Sequence, residues 1–146
     1  MPRPLIAASL AFLATGCLAI ADDPVAAPAD CPVIESRDWT AFVNAMPGPD
    51  ARPELIVTGT VQLPSAGYAA DLRPGPTDRS AQPVQVVELV ATPPDGPAAT
   101  VLTDMGVRLE MPAPLVQPGT PSPYQGVRVM CGETELAYIA PVETAW

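Results

Sequence analysis

Three cysteines and sixteen carboxylates are the side chains of this 146-residue chain with the most chemistry in them. Cys17, Cys31 and Cys131 allow one disulfide and leave one thiol to explain. All seven basic residues are Arg, and the chain has neither Lys nor His. Without His, the commonest general base and the commonest metal ligand are missing. Without Lys there is no Schiff-base chemistry and no phosphate clamp of the P-loop kind. The chain also lacks a G-x-S-x-G elbow, a Gly-rich phosphate loop and a C-x-x-C pair. Asp71, Asp78, Asp95 and Asp104 are expected in loops, too widely spaced for a calcium loop. A hydrolase using carboxylates alone would need two of them to meet about 5–10 Å apart. Solvated loop acids are the simpler expectation. The chain is therefore read as a non-enzyme that needs no metal and no cofactor.

The odd cysteine finds its explanation at the N-terminus. Arg3 is the only early charge, and a short apolar run, Leu5 to Leu13, follows it. That run is shorter than the about 20 residues needed to cross a bilayer, and its pattern is that of a cleaved signal peptide over residues 1–21. No transmembrane span is expected once it is removed. Ala14-Thr15-Gly16-Cys17 resembles the lipobox of bacterial envelope lipoproteins, with Ala14 where such proteins usually carry Leu. The resemblance implies cleavage before Cys17 and a lipid anchor on its thiol. Leu18 follows the cysteine instead of Asp, which within that class favours onward transport to an outer membrane. Ala19-Ile20-Ala21 offers an ordinary A-x-A cut before Asp22 as the alternative, which would give a soluble periplasmic or secreted protein.

Both cuts leave Cys31 and Cys131 as the pair for a disulfide in an oxidising compartment, the other reading being two unpaired buried thiols. A bridge closing a loop of this length contributes up to about 4–5 kcal/mol in the chain-entropy model. It would staple the start of the domain to its penultimate strand. Loss of Arg3 with the signal leaves six Arg against sixteen acids, a net charge of −10. Such a chain is repelled by nucleic acid and by anionic lipid surfaces. Any membrane association is therefore expected to come from the lipid and not from a basic face. Residues 18–30 (LAIADDPVAAPAD) read as a disordered Ala/Pro/Asp tether with too little apolar content to fold. A single domain is expected over 31–146.

Within it, short segments of strand period alternate with Pro and Gly. Leu55, Val57, Val61 and Leu63 form one apolar face; Tyr68, Ala70 and Leu72 continue after a turn. Val84 to Thr92, Val101 to Met111, Val127 to Cys131 and Leu136 to Val142 complete the set, the last two as a hairpin through Gly132-Glu133. The expectation is a mainly β protein, an immunoglobulin-like β-sandwich of six or seven short strands. The 21 prolines fit strand ends and edges better than long helices. One short helix is expected near the start, because Trp39, Phe42, Val43 and Met46 fall at i, i+3, i+4 and i+7. Ser36 would cap it and Pro47-Gly48-Pro49 would stop it. A strand carrying Trp39, Ala41 and Val43 is the alternative.

Two loops are candidate binding surfaces. Leu63-Pro64-Ser65-Ala66-Gly67-Tyr68 resembles the N-P-T-T-G-Y loop of chagasin-type cysteine protease inhibitors, exported immunoglobulin-like proteins, through Pro64, Gly67 and Tyr68. The resemblance implies insertion into a protease cleft. The family's G-x-G-G and R-P-W loops have no counterpart here. The same residues also read as a plain turn followed by an inward Tyr. Arg73-Pro74-Gly75-Pro76-Thr77-Asp78-Arg79 reads as a stiffened polar loop, in which Arg73 and Arg79 pair with Asp71 and Asp78 or face a partner. Residues 112–123 read as a Pro-rich surface crossover. The leading expectation is an exported, lipid-anchored, non-enzymatic module on the periplasmic side of the envelope that binds a protein, peptide or glycan, or supports an assembly. A chagasin-like inhibitor is the alternative, and a carboxylate-only hydrolase the second.

Overall fold

The computed structural model describes residues 31–146. The signal peptide, Cys17 and the tether over 18–30 lie outside the described residues. Eight strands follow one another: β1 (Glu35–Asn44), β2 (Glu54–Leu63), β3 (Ala69–Thr77), β4 (Val84–Thr92), β5 (Thr103–Pro112), β6 (Gly126–Cys131), β7 (Thr134–Ile139) and β8 (Glu143–Ala145). They form two four-stranded sheets, β5-β2-β1-β8 and β3-β4-β6-β7. This is the expected β-sandwich. Two pairings run parallel, β1 with β8 and β4 with β6, where the immunoglobulin constant-type pattern is antiparallel.

Alternation places the core. Val43 of β1, Leu55, Val57, Val61 and Leu63 of β2, Val87 of β4 and Val127 and Val129 of β6 are all fully buried between the sheets. Each such side chain stabilises the fold by about 1.5–3 kcal/mol relative to exposure. The β6–β7 hairpin forms as expected, with Gly132 at a φ of 58° in its turn.

The expected helix is absent: Glu35–Asn44 is strand throughout, so the strand alternative for Trp39, Ala41 and Val43 is the one realised. The spacing misled because both faces of β1 are apolar. Ala41 and Val43 point into the core, while Phe42, on the other face, sits opposite Ile56 of β2, which is itself buried. Met46 lies beyond the strand and is exposed. A bulge between Arg37 and Thr40, with Asp38 at a φ of 57°, shifts the phase again. Trp39 then lies over Gly59 of β2, where an added Cβ would collide with the indole.

Cys31 and Cys131 are joined in a disulfide with Cα atoms 5.3 Å apart. Cys131 ends β6, which two strands follow, so the bridged strand is not the penultimate one. The bridge lies at the end of the sandwich where β1 starts and β2 ends; this end is called proximal, because the chain enters the domain there. The opposite, distal end carries the β1–β2, β3–β4 and β5–β6 connections and the residues after β7.

Residues 73–77, expected as loop, are the second half of β3 at the edge of its sheet. Pro74 and Pro76 cannot donate to the ladder, and the register shifts between Pro74 and Thr77. Gln85 of β4, completely buried, supplies what is missing. Its Nε2 donates to the Gly75 carbonyl at 2.9 Å, and its Oε1 accepts from the Thr77 hydroxyl.

Candidate functional site

The residues singled out in the sequence do not converge. Pro64, Gly67 and Tyr68 lie in the β2–β3 connection at the proximal end, crossing from one sheet to the other. Gly67 has a φ of 93°, and a Cβ on it would come within 3.2 Å of Pro94. The Ala66 N–H donates to the Ala99 carbonyl at 3.2 Å, so this turn is tied to the β4–β5 connection. Tyr68 packs against the core, the inward position expected of a plain turn.

Arg73 stands mid-strand on the outer face of its sheet, directly across from Glu88. Asp78 and Arg79 lie at the distal end. Among the described residues neither Arg73 nor Arg79 forms an ion pair, so the expected pairing with Asp71 and Asp78 is not made. Asp78 instead accepts from the Ser80 hydroxyl at 2.7 Å and the Ser80 N–H at 3.1 Å. These bonds hold its carboxyl below the usual carboxylate range. Asp71 and Asp104 are strand residues, not loop residues. Asp104 takes a guanidinium hydrogen bond of 2.6 Å from Arg37 and one of 3.2 Å from the Gln62 amide, which lower its pKa in that order.

Hollows open at two places on the described surface. One, of about 380 Å³, lies against the outer face of the β3-β4-β6-β7 sheet between Pro76, Val86, Glu88 and Met130. Apart from the exposed Pro76 its apolar walls are half-buried or buried side chains. The other two, of about 250 and 450 Å³, adjoin at the distal end and share Arg52, Pro53 and Leu115. Met46, Val116 and Trp146 line the first of this pair, and Pro112 and Ala113 the second.

The distal pair is the stronger candidate because its walls carry large apolar side chains in the open. Leu115 is 88% exposed, and Met46 and Trp146 are also exposed. Large exposed apolar side chains gathered in one place are the usual mark of an interaction surface.

Stiff backbone holds these walls apart. The β1–β2 connection carries Pro47, Pro49 and Pro53, and its neighbour the β5–β6 crossover is bound to it through Ala113 N–H to the Pro53 carbonyl, 2.9 Å. The C-terminal segment joins through Ala45 N–H to the Ala145 carbonyl, 2.8 Å. Tyr124 roots the far end of the crossover in the core, where burial pushes its phenol pKa up. The arrangement can take an apolar side chain or two, with the Arg52 guanidinium beside them for a carboxylate or carbonyl oxygen.

Sequence reading named the crossover but not its role. The signal available was Leu115-Val116, an apolar pair inside a segment otherwise made of Pro, Gly and polar residues. No protein-family model matches this chain, and neither the curated proteins nor the solved structures include a significant match to it.

Proposed function

We propose that this protein is a non-enzymatic binding module of the bacterial cell envelope, anchored by lipid on Cys17 and exposed on the periplasmic side. Its distal groove would take up an apolar segment of a protein or peptide partner. The observation that carries this reading is the placement of two features at opposite ends. The chain from Cys17 enters at Cys31, and the groove of Met46, Leu115 and Trp146 opens at the far end, reached through 13 tether residues and the length of the sandwich. A partner in the periplasm would meet the groove without approaching the membrane. Leu18 after the lipid-bearing cysteine favours the outer membrane as the address. The inhibitor reading has less support, since Pro64, Gly67 and Tyr68 sit at the end facing the anchor.

The test has two parts. The intact mass of the mature protein should show a chain starting at Cys17 with a lipid-sized increment, and a gain of two hydrogens on reduction. A photo-reactive residue at Leu115 should then give a discrete cross-linked adduct in cells, lost when Trp146→Ser removes one wall. A bare chain starting at Asp22 would replace the anchored module with a soluble exported protein. Absence of any adduct at Leu115 would remove the groove as the binding surface.

A further inference from the structure

The proximal end carries exposed apolar side chains of its own. Ile34, Val101 and Leu102 are each more than half exposed there. Their position is set by backbone bonds: Ile34 N–H donates to the Gln62 carbonyl at 2.9 Å, and Val101 and Leu102 lead directly into Thr103, the partner of Leu63. All three therefore cap the last residues of β2 from its two sides. Around them the chain is uncharged over long stretches. Residues 63–69 (LPSAGYA) and 96–103 (GPAATVLT) contain no Asp, Glu or Arg, in a chain with a net charge of −9. Glu35, Asp95, Asp104 and Glu133 are acids at this end; they lie outside those two stretches, and Asp104 is paired with Arg37.

We infer that this proximal tip rests on the lipid bilayer to which Cys17 is anchored, with Ile34, Val101 and Leu102 entering the interface. The inference depends on the lipid-anchor reading and specifies how the anchored domain is oriented. Three apolar side chains are too few to hold a strongly acidic protein on a membrane unaided. The tether changes that balance. Thirteen residues reach no further than about 45 Å even when fully extended, which keeps the tip at about millimolar effective concentration over the surface. The chain enters at Cys31, three residues before Ile34, and the disulfide fixes that entry point to the end of β6. Weak insertion at the proximal end then points the distal groove away from the membrane.

Brominated-lipid quenching of tryptophan tests this directly. The acylated full-length product is reconstituted into phosphatidylcholine vesicles containing brominated chains. Native Trp146 at the distal end is the internal control, and Leu102→Trp in a Trp146→Phe background reports on the tip. Trp39 contributes the same background to both. Emission from the introduced tip residue should fall at least twofold in brominated vesicles, with less than a tenth lost from Trp146. Val101→Trp provides a second reporter if the first lowers the yield of folded protein. A lipid increment in the mass together with unquenched tip reporters would overturn the inference and leave the anchor standing. Quenching of Trp146 would overturn it by reversing the orientation. A product without the lipid increment would remove the anchor and this inference together.

Discussion

The two ends of the sandwich are made from similar material, proline-punctuated connections with a few large apolar residues, and they differ in how they are held. At the proximal end a covalent bridge joins the incoming chain to β6, and the two crossing loops are stitched by the Ala66–Ala99 hydrogen bond. At the distal end there is no covalent link among the described residues. Closure there depends on the Gln85 amide, the Ala113–Pro53 and Ala45–Ala145 hydrogen bonds and the buried ring of Tyr124. Apolar exposure alone therefore does not define a binding groove. At the proximal end it caps a flat strand terminus, whereas at the distal end three separate segments stand apart and leave hollows between them.

This contrast can be broken experimentally. Opening the bridge should have the largest effect: reduction, or Cys31→Ala with Cys131→Ala, is expected to cost about 2–5 kcal/mol. In thermal unfolding that corresponds to a fall in Tm of roughly 10 °C or more for a domain of this size. An unchanged Tm would mean that the proximal end is held by its packing. Next comes Gln85→Leu, which leaves the Gly75 carbonyl and the Thr77 hydroxyl without their buried partner and should cost about 1–3 kcal/mol. Hydrogen exchange would locate the loss in the second half of β3, with the proximal strand ends still protected. Gly59→Ala, midway between the ends, forces the Trp39 indole aside. About 1–3 kcal/mol is expected, with a red shift in Trp39 emission. At the surface, Leu115→Ser should leave stability within about 0.5 kcal/mol of the parent while abolishing cross-linking at a reporter placed on Trp146. A loss of stability there would mark Leu115 as a structural residue.

Acid provides the mildest test. Asp104 and Asp78 are both held below the usual carboxylate range, by Arg37 and by Ser80 respectively. Their ionised forms favour the folded state. This contribution is complete above the unfolded-chain value near pH 4 and is lost as pH falls through the folded values. With no His in the chain, Tm should be flat from about pH 5 to 8 and decline only in acid. Asp104→Asn should reduce the acid-dependent part of that decline at the proximal end.

Strand alternation made most of the fold legible. β2 reads directly from Leu55, Val57, Val61 and Leu63, because only one of its faces meets the core. β1 does not, because Phe42 and Ile56 cover its second face and the bulge at Asp38 breaks the period. Proline misplaced β3: Pro74 and Pro76 look like loop, and only the buried amide of Gln85, eight residues beyond Thr77, explains how a strand survives there. The pairing of Cys31 with Cys131 followed from cysteine number together with the expected lipidation or removal of Cys17. The distal groove did not follow from any local pattern, since its walls come from residues near 46, 52, 115 and 146, brought together only by the return of β5, β6 and β8.

The prolines of β3 have a consequence for crowding. An open strand edge invites templated pairing with another copy. Pro74 and Pro76 remove two donors from the outermost strand of their sheet, and the shifted register behind them bends the remaining ones out of line. A crowd of these domains can therefore slide past one another along that edge without seeding a shared sheet.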